Sequence, residues 1–161
     1  MIDGWILTLT ATGAVGTGLV AGVFFAFSTF VMRALDRLPP AQGVAAMNSI
    51  NVTVINPLFM LALMGTAAVC AVLGVAAIVK WNEPGAGLVL AGSVSYLVLT
   101  ILVTMAYHVP RNDALARRDP AAADTARYWA HHVTTWTAGN HVRVVGALAA
   151  AVLFTIALVR Q

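Results

Sequence analysis

The sequence predicts an all-α integral membrane protein: a four-helix, up-and-down bundle with a short interfacial helix after helix 1 and a cytoplasmic helical extension before helix 4. Three observations carry this expectation. Only 9% of the 161 residues are charged and 60% are apolar, with a mean hydropathy of +0.87, whereas soluble domains carry about a quarter charged residues. Charge-free apolar runs recur at 4–32, 54–79, 84–107 and 144–159, and a spanning helix needs roughly 20 such residues. Basic residues segregate. Arg33 and Arg37 follow the first run, and Arg111, Arg117, Arg118, Arg127 and Arg143 lie between the third and fourth, leaving Lys80 and Arg160 for the other side. Basic loops stay in the cytoplasm, so 33–53 and 108–139 are expected inside and both termini outside, in a bacterial inner membrane. The net charge of +3 is therefore a topology signal and not a nucleic-acid surface. The length allows one membrane domain and no separate soluble one.

Helix 1, about 4–32, is longer than a span needs and tilts or protrudes. The opening Met1-Ile-Asp3-Gly-Trp5 lacks the basic start and the clear small-residue cleavage site of a signal peptide, so the segment reads as a retained helix. Ala14, Gly18, Gly22 and Ala26 recur at spacing four. They form a close-approach face, used either within the chain or for a homo-oligomer through Gly18 and Gly22. Phe24, Phe25, Phe27 and Phe30 could pack in a core, face lipid or stack on an aromatic ligand, and most read as core or lipid-facing. Pro39 and Pro40 stop helix 1 and start the interfacial helix, about 41–52. Asn56-Pro57 is a helix-start signal for helix 2, about 56–80. Asn48, Asn51 and Asn56 are either helix caps or amides directed into a pocket at the membrane surface. Lys80-Trp-Asn-Glu-Pro-Gly is a tight outer turn. Helix 3, about 84–108, is expected to stop at Pro110, with Asn112 or Asp113 capping a short helix. Asp119-Pro120 caps and starts a helix over about 120–138. This runs through a weak break at Gly139 into helix 4, about 139–160. The fourth apolar run is short, so helix 4 has to begin near 139, which draws Asn140, His141 and Arg143 to the membrane boundary. Cys70 is the single cysteine, which excludes an intrachain disulfide, a CxxC pair and a thiolate cluster.

Chemistry concentrates in Trp129-Ala-His-His132-Val-Thr-Thr-Trp136-Thr-Ala-Gly-Asn140-His141-Val-Arg143. Polar and ionisable groups beside hydrocarbon cost free energy unless something pairs with them, and so mark functional sites. At about 100° per residue, Trp136 falls near −20° from Trp129, Asn140 near +20°, Arg143 near −40° and His132 near −60°. These five share one face if the helix is continuous; His141, near +120°, lies off it. One reading is an interfacial belt, with tryptophan in the headgroup zone and arginine snorkelling to phosphate. A lipid, a quinone or a partner helix would then bind through the Trp/Arg face. A metal site is disfavoured: no histidine pair within 120–143 has i, i+4 spacing, and no Glu-x-x-His motif exists. The other reading is a pocket at the cytoplasmic boundary where histidine acts as base beside arginine and amide donors. Proton abstraction from a carbon acid needs that combination.

Four segments carry a resemblance: Ala21-Gly-Val-Phe-Phe-Ala-Phe-Ser28, Asn51-Val-Thr-Val-Ile-Asn-Pro57, Val109-Pro-Arg-Asn112-Asp113-Ala-Leu and Trp136-Thr-Ala-Gly-Asn140-His141-Val-Arg143. In motif order, and over nearly the whole chain, they resemble the anthrone oxygenase family. The resemblance implies a four-helix membrane protein. Its characterised fungal members oxidise anthrones to anthraquinones with dioxygen, without metal or flavin. His108 stands where that family usually has Asn before Val-Pro, and His132 and Gly139 where Tyr and a bulkier residue are usual. Dioxygen is thus the expected co-substrate, with no cofactor, and the partner a hydrophobic small molecule or lipid. On this footing His141 is the expected base, with His132 in reserve, and Arg143 and Asn140 the oxyanion donors. Trp129 and Trp136 would form the aromatic slot. Asn112 or Asp113 would orient the histidine, and Asn51 and Asn56 would contribute amides.

Overall fold

The computed structural model describes residues 4–160; Met1, Ile2 and Asp3, on which the retained-helix reading partly rests, lie outside the described residues. Five helices account for nearly all of the chain: α1 Gly4–Asp36, α2 Pro40–Thr53, α3 Pro57–Val79, α4 Ala86–Ala116 and α5 Thr125–Val159. No strand occurs among the described residues. α1, α3, α4 and α5 are long and apolar enough to cross a membrane, and the chain is an integral membrane protein. Its outward faces match: Val15, Leu19, Leu61, Ile78, Leu102 and Val152 are all exposed, an apolar surface that belongs against lipid.

Two packed regions organise the bundle. The larger joins the middle of α1, α3, α4 and α5 through Val20, Phe24, Leu73, Tyr96 and Phe154. The smaller gathers Met32 and Leu35 from the end of α1, Val44 and Met47 from α2, Leu115 from the end of α4, and Trp129 and Trp136 from the start of α5. So the ends of α1 and α4 and the start of α5 meet under α2. The stripe at Gly18 and Gly22 is not part of this packing: a Cβ at either position meets nothing within 4 Å.

Element boundaries differ from expectation for identifiable reasons. α1 continues to Asp36, because Met32 and Leu35 are buried against its neighbours and only Pro39, with its extended backbone, stops it. Asn56 caps α3: its Oδ1 accepts the Phe59 N–H at 3.0 Å, and its Nδ2 donates to the Thr53 carbonyl at 3.0 Å. α4 passes through Pro110 to Ala116, so neither Asn112 nor Asp113 caps a new helix. A proline is tolerated within a membrane helix where freed carbonyls are re-satisfied and the turn adjusts locally. Here the ladder widens into π-type turns over Thr104–His108, and Arg111 Nη1 donates to the Tyr107 carbonyl at 3.1 Å. Asp119-Pro120 opens a turn instead of a helix: Asp119 Oδ1 accepts the Ala121 N–H at 2.9 Å, and its carbonyl accepts the Thr125 hydroxyl at 3.0 Å. An Arg118–Asp124 ion pair closes the same turn.

α5 then runs unbroken for 35 residues, so Gly139 is not a hinge. It is, with Gly146, a point of close approach to α4. A Cβ there would collide with the Tyr107 ring and come within 3.2 Å of His108 Nε2. Gly139→Ala is therefore expected to destabilise the purified protein by about 1–3 kcal/mol, the usual cost of overpacking, measured by unfolding in detergent. A stability equal to wild type would show that Tyr107 yields without cost.

Candidate functional site

Because α5 is continuous, the angular arithmetic holds: Trp129, His132, Trp136, Asn140 and Arg143 are all buried on one face. His141 is exposed on the other side, as its angle required, and does not reach the interior. The expectation that it sits in the site is corrected on that ground.

Asn140, fully buried, ties α5 to α1. Its Nδ2 donates to the Phe24 carbonyl and to Ser28 Oγ, each at 2.7 Å. Its Oδ1 accepts from Arg143 Nη2 at 2.7 Å and Nε at 3.1 Å. Both amide hydrogens are spent, so Asn140 holds Arg143 and is not itself an oxyanion donor. Arg143 is 5% exposed. Its Nη1 donates to Thr104 Oγ1 at 3.3 Å, and its guanidinium lies 4.1 Å from the Phe24 ring centroid and 5.1 Å from that of Trp136. None of these partners is acidic. A guanidinium has five N–H donors; three are engaged here, which leaves two. Nor does Arg143 snorkel to a headgroup, as the interfacial-belt reading required.

Arg143 lines a cavity of about 250 Å3 that also borders Phe24, Phe27, Asn51, Thr104, His108, Asn112 and Trp136. His108 is 1% exposed. Its ring stands edge-on to Trp136 at 4.9 Å and to Tyr107 at 5.3 Å. Its Nε2 side rests against Gly139, yet neither ring nitrogen has a well-formed hydrogen bond, and the Asn51 Nδ2 is likewise buried and unpartnered. Asn112 Oδ1 accepts the Trp136 indole N–H at 3.0 Å, which fixes the tryptophan and leaves the Asn112 amide hydrogens unassigned to a protein partner. Buried polar groups without partners are uncommon and call for an explanation; a ligand supplies one. The remaining lining is apolar, from Val23, Met47, Ile50, Phe59, Leu63 and others. A benzene-binding cavity is about 150 Å3, so the space suits roughly two fused rings.

Of the residues expected from sequence, the cavity brings together Arg143, Trp136, Asn112 and Asn51. The others sit elsewhere. Trp129 and His132 stack on each other at 5.9 Å with 14° between planes, Trp129 against Gly43 of α2, one layer away from the cavity. Asp113 is exposed, and Asn56 is a cap. His108 and Thr104 were not anticipated as site residues, and Phe24 was read chiefly as core or lipid-facing. Their signal was present: Thr104, His108 and Asn112 repeat every four residues, and so share one face of an apolar helix. Ending helix 3 at Pro110 hid it by separating Asn112 from the other two. Among the described residues, no three of His, Cys, Asp and Glu come together.

A family model described as anthrone oxygenase matches residues 58–153. The match covers α3, α4 and most of α5, and with them Thr104, His108, Asn112, Trp136, Asn140 and Arg143. No curated protein and no solved structure matches the chain. Since the match spans more than half of the 161 residues, the chain belongs to the anthrone oxygenase family.

Proposed function

We propose that this protein is a membrane oxygenase that converts a hydrophobic, enolisable aromatic ketone of the anthrone type to the corresponding quinone, with dioxygen as co-substrate and no added cofactor. The observation that carries the reading is the buried Arg143, which has no acidic partner and two spare N–H groups, on the same apolar cavity as the unpartnered His108. Such a site suits a flat ketone whose oxygen lies on the guanidinium and the Asn112 amide while its acidic methylene faces the imidazole. His108 would take the methylene proton, and the donors would hold the enolate oxygen as charge develops there. The enolate then gives one electron to dioxygen. The resulting carbon radical and superoxide combine to a peroxide at that carbon. Loss of the second C–H proton with cleavage of the O–O bond leaves the new carbonyl and water. The sum is CH2 plus O2 giving C=O plus H2O, in balance without another oxidant.

His108→Ala is expected to slow dioxygen uptake with anthrone by about 10²–10⁴-fold, the usual worth of a positioned base, while His141→Ala leaves the rate unchanged. His108→Asn separates two roles, since asparagine is the more usual residue of the family at this position. A base at 108 predicts a loss as large as that of alanine. Retained activity would make 108 a hydrogen-bonding position and sink the base assignment.

In this reading the end carrying Arg33, Arg37, Arg111, Arg117, Arg118 and Arg127 faces the cytoplasm of a bacterial inner membrane and both termini lie outside, because basic loops are retained inside. The open Gly18–Gly22 face of α1 favours self-association through that helix; leucine at both positions should abolish any cross-linked dimer in detergent.

A further inference from the structure

The most exposed part of the cavity's lining is apolar. Phe24, His108, Trp136 and Arg143 are buried, whereas Ile55, Met64, Met105 and Val109, which border the same cavity, are 72, 40, 56 and 38% exposed. These four come from the turn before α3, from α3 and from α4, and every one is apolar. The apolar surface continues beyond them. Leu61 lies three residues before Met64 and Leu102 three before Met105, both exposed, and that spacing keeps each pair on one helix face. Met64 lies seven residues into α3, or about 10 Å along its axis, so the opening reaches from the boundary into the hydrocarbon layer.

We propose that the cavity is loaded sideways from the bilayer, through a portal between α3 and α4 framed by Ile55, Met64, Met105 and Val109. The molecules it admits are flat and soluble in hydrocarbon, and carry one carbonyl or acidic oxygen. This rests on the cavity being the reaction site proposed above. The four exposed rim side chains offer no polar group to a hydrated solute; the polar Asn51, Thr104 and Asn112, which also border the cavity, are only half-buried. Two of the four rim residues are methionines, whose unbranched, flexible side chains adapt to passing shapes. The inner end selects in the opposite sense. An all-hydrocarbon occupant would leave the two Arg143 N–H groups, the His108 nitrogens and the Asn51 amide unpaired, so an oxygen has to travel at the leading edge of an otherwise apolar body.

A nitroxide attached through a disulfide to Met105→Cys, in a Cys70→Ala background in liposomes, tests the route. Leu148→Cys, on the exposed side of α5 and off the cavity, is the control. Relaxation by dioxygen but not by a water-soluble nickel chelate is expected at position 105, which places the rim in lipid. Anaerobic binding of anthrone added with vesicles, followed by quenching of tryptophan fluorescence, should be at least tenfold slower with the label at 105. Reduction of the disulfide should restore it, and the label at 148 should not alter it. Relaxation by nickel at 105, an unchanged binding rate with that label, or no anthrone binding by unlabelled protein would each overturn the proposal. Binding that obeys the portal with no oxidation once air is admitted would leave the route standing and sink the oxygenase reading instead.

Discussion

Arg143→Met is expected to cut anthrone-dependent dioxygen uptake by about 10²–10³-fold, the cost of removing an oxyanion donor from a water-poor site. The expectation follows from where the guanidinium's donors go. Asn140 and Thr104 take three of its N–H groups, so the group is held in place before any ligand arrives, and the remaining two need no reorganisation to meet a developing charge. Low local polarity strengthens that contact relative to water. Methionine keeps much of the apolar stem over Phe24 and removes a buried charge that has no counter-ion, along with its desolvation cost. Against this stands the unpaired Asn140 Oδ1, at about 1–3 kcal/mol. The variant should therefore fold while losing turnover. Uptake by the purified, chelator-treated protein is compared with a no-protein blank, since anthrones oxidise slowly unaided. A rate within twofold of wild type would remove the oxyanion role. Arg143→Lys should fall between the two, because an ammonium keeps the charge but cannot span Asn140 and a ligand in one plane.

Much of this fold was legible in the sequence because membrane insertion leaves coarse marks: runs of apolar residues, proline pairs, and arginines on one side. The shared face of Trp129, His132, Trp136, Asn140 and Arg143 was legible too, since helical angle depends only on spacing. Depth was not. Spacing says that Trp129 and Trp136 point the same way, but not that α2 covers the first while a cavity meets the second. That His108 borders the cavity was obscured by the same limit and by Pro110. Proline normally ends a helix; here the turn before it widens to π type and the helix continues, which a local pattern does not encode. Gly139 misled in a similar way. It looked like a break because glycine is flexible, and it is instead the place where only a residue without a Cβ lets Tyr107 and His108 sit against α5. The angle of His141 already placed it off the shared face, and the structure leaves it exposed there.

Asn140→Ala is expected to be the most destabilising single change in the site, at about 3 kcal/mol or more, and more so than Arg143→Met. It strands a buried guanidinium, whose bonds to Asn140 are charge-assisted and worth about 1.5–3 kcal/mol each. It also leaves the Phe24 carbonyl and the Ser28 hydroxyl without the Nδ2 donor they share. The sign of the coupling follows. Once asparagine is gone, arginine is a liability, so adding Arg143→Met to Asn140→Ala should recover stability, with a coupling of about 1–3 kcal/mol typical of residues in one network. Activity should not recover, since the oxyanion donor is then absent as well. Unfolding of the two single variants and the double variant in one detergent reads the cycle, and dioxygen uptake is measured on the same samples. Strict additivity would mean that Arg143 holds its position without Asn140, through Thr104 and the aromatic rings alone. The positioning role of Asn140 would then fall, while the cavity and its spare donors would remain.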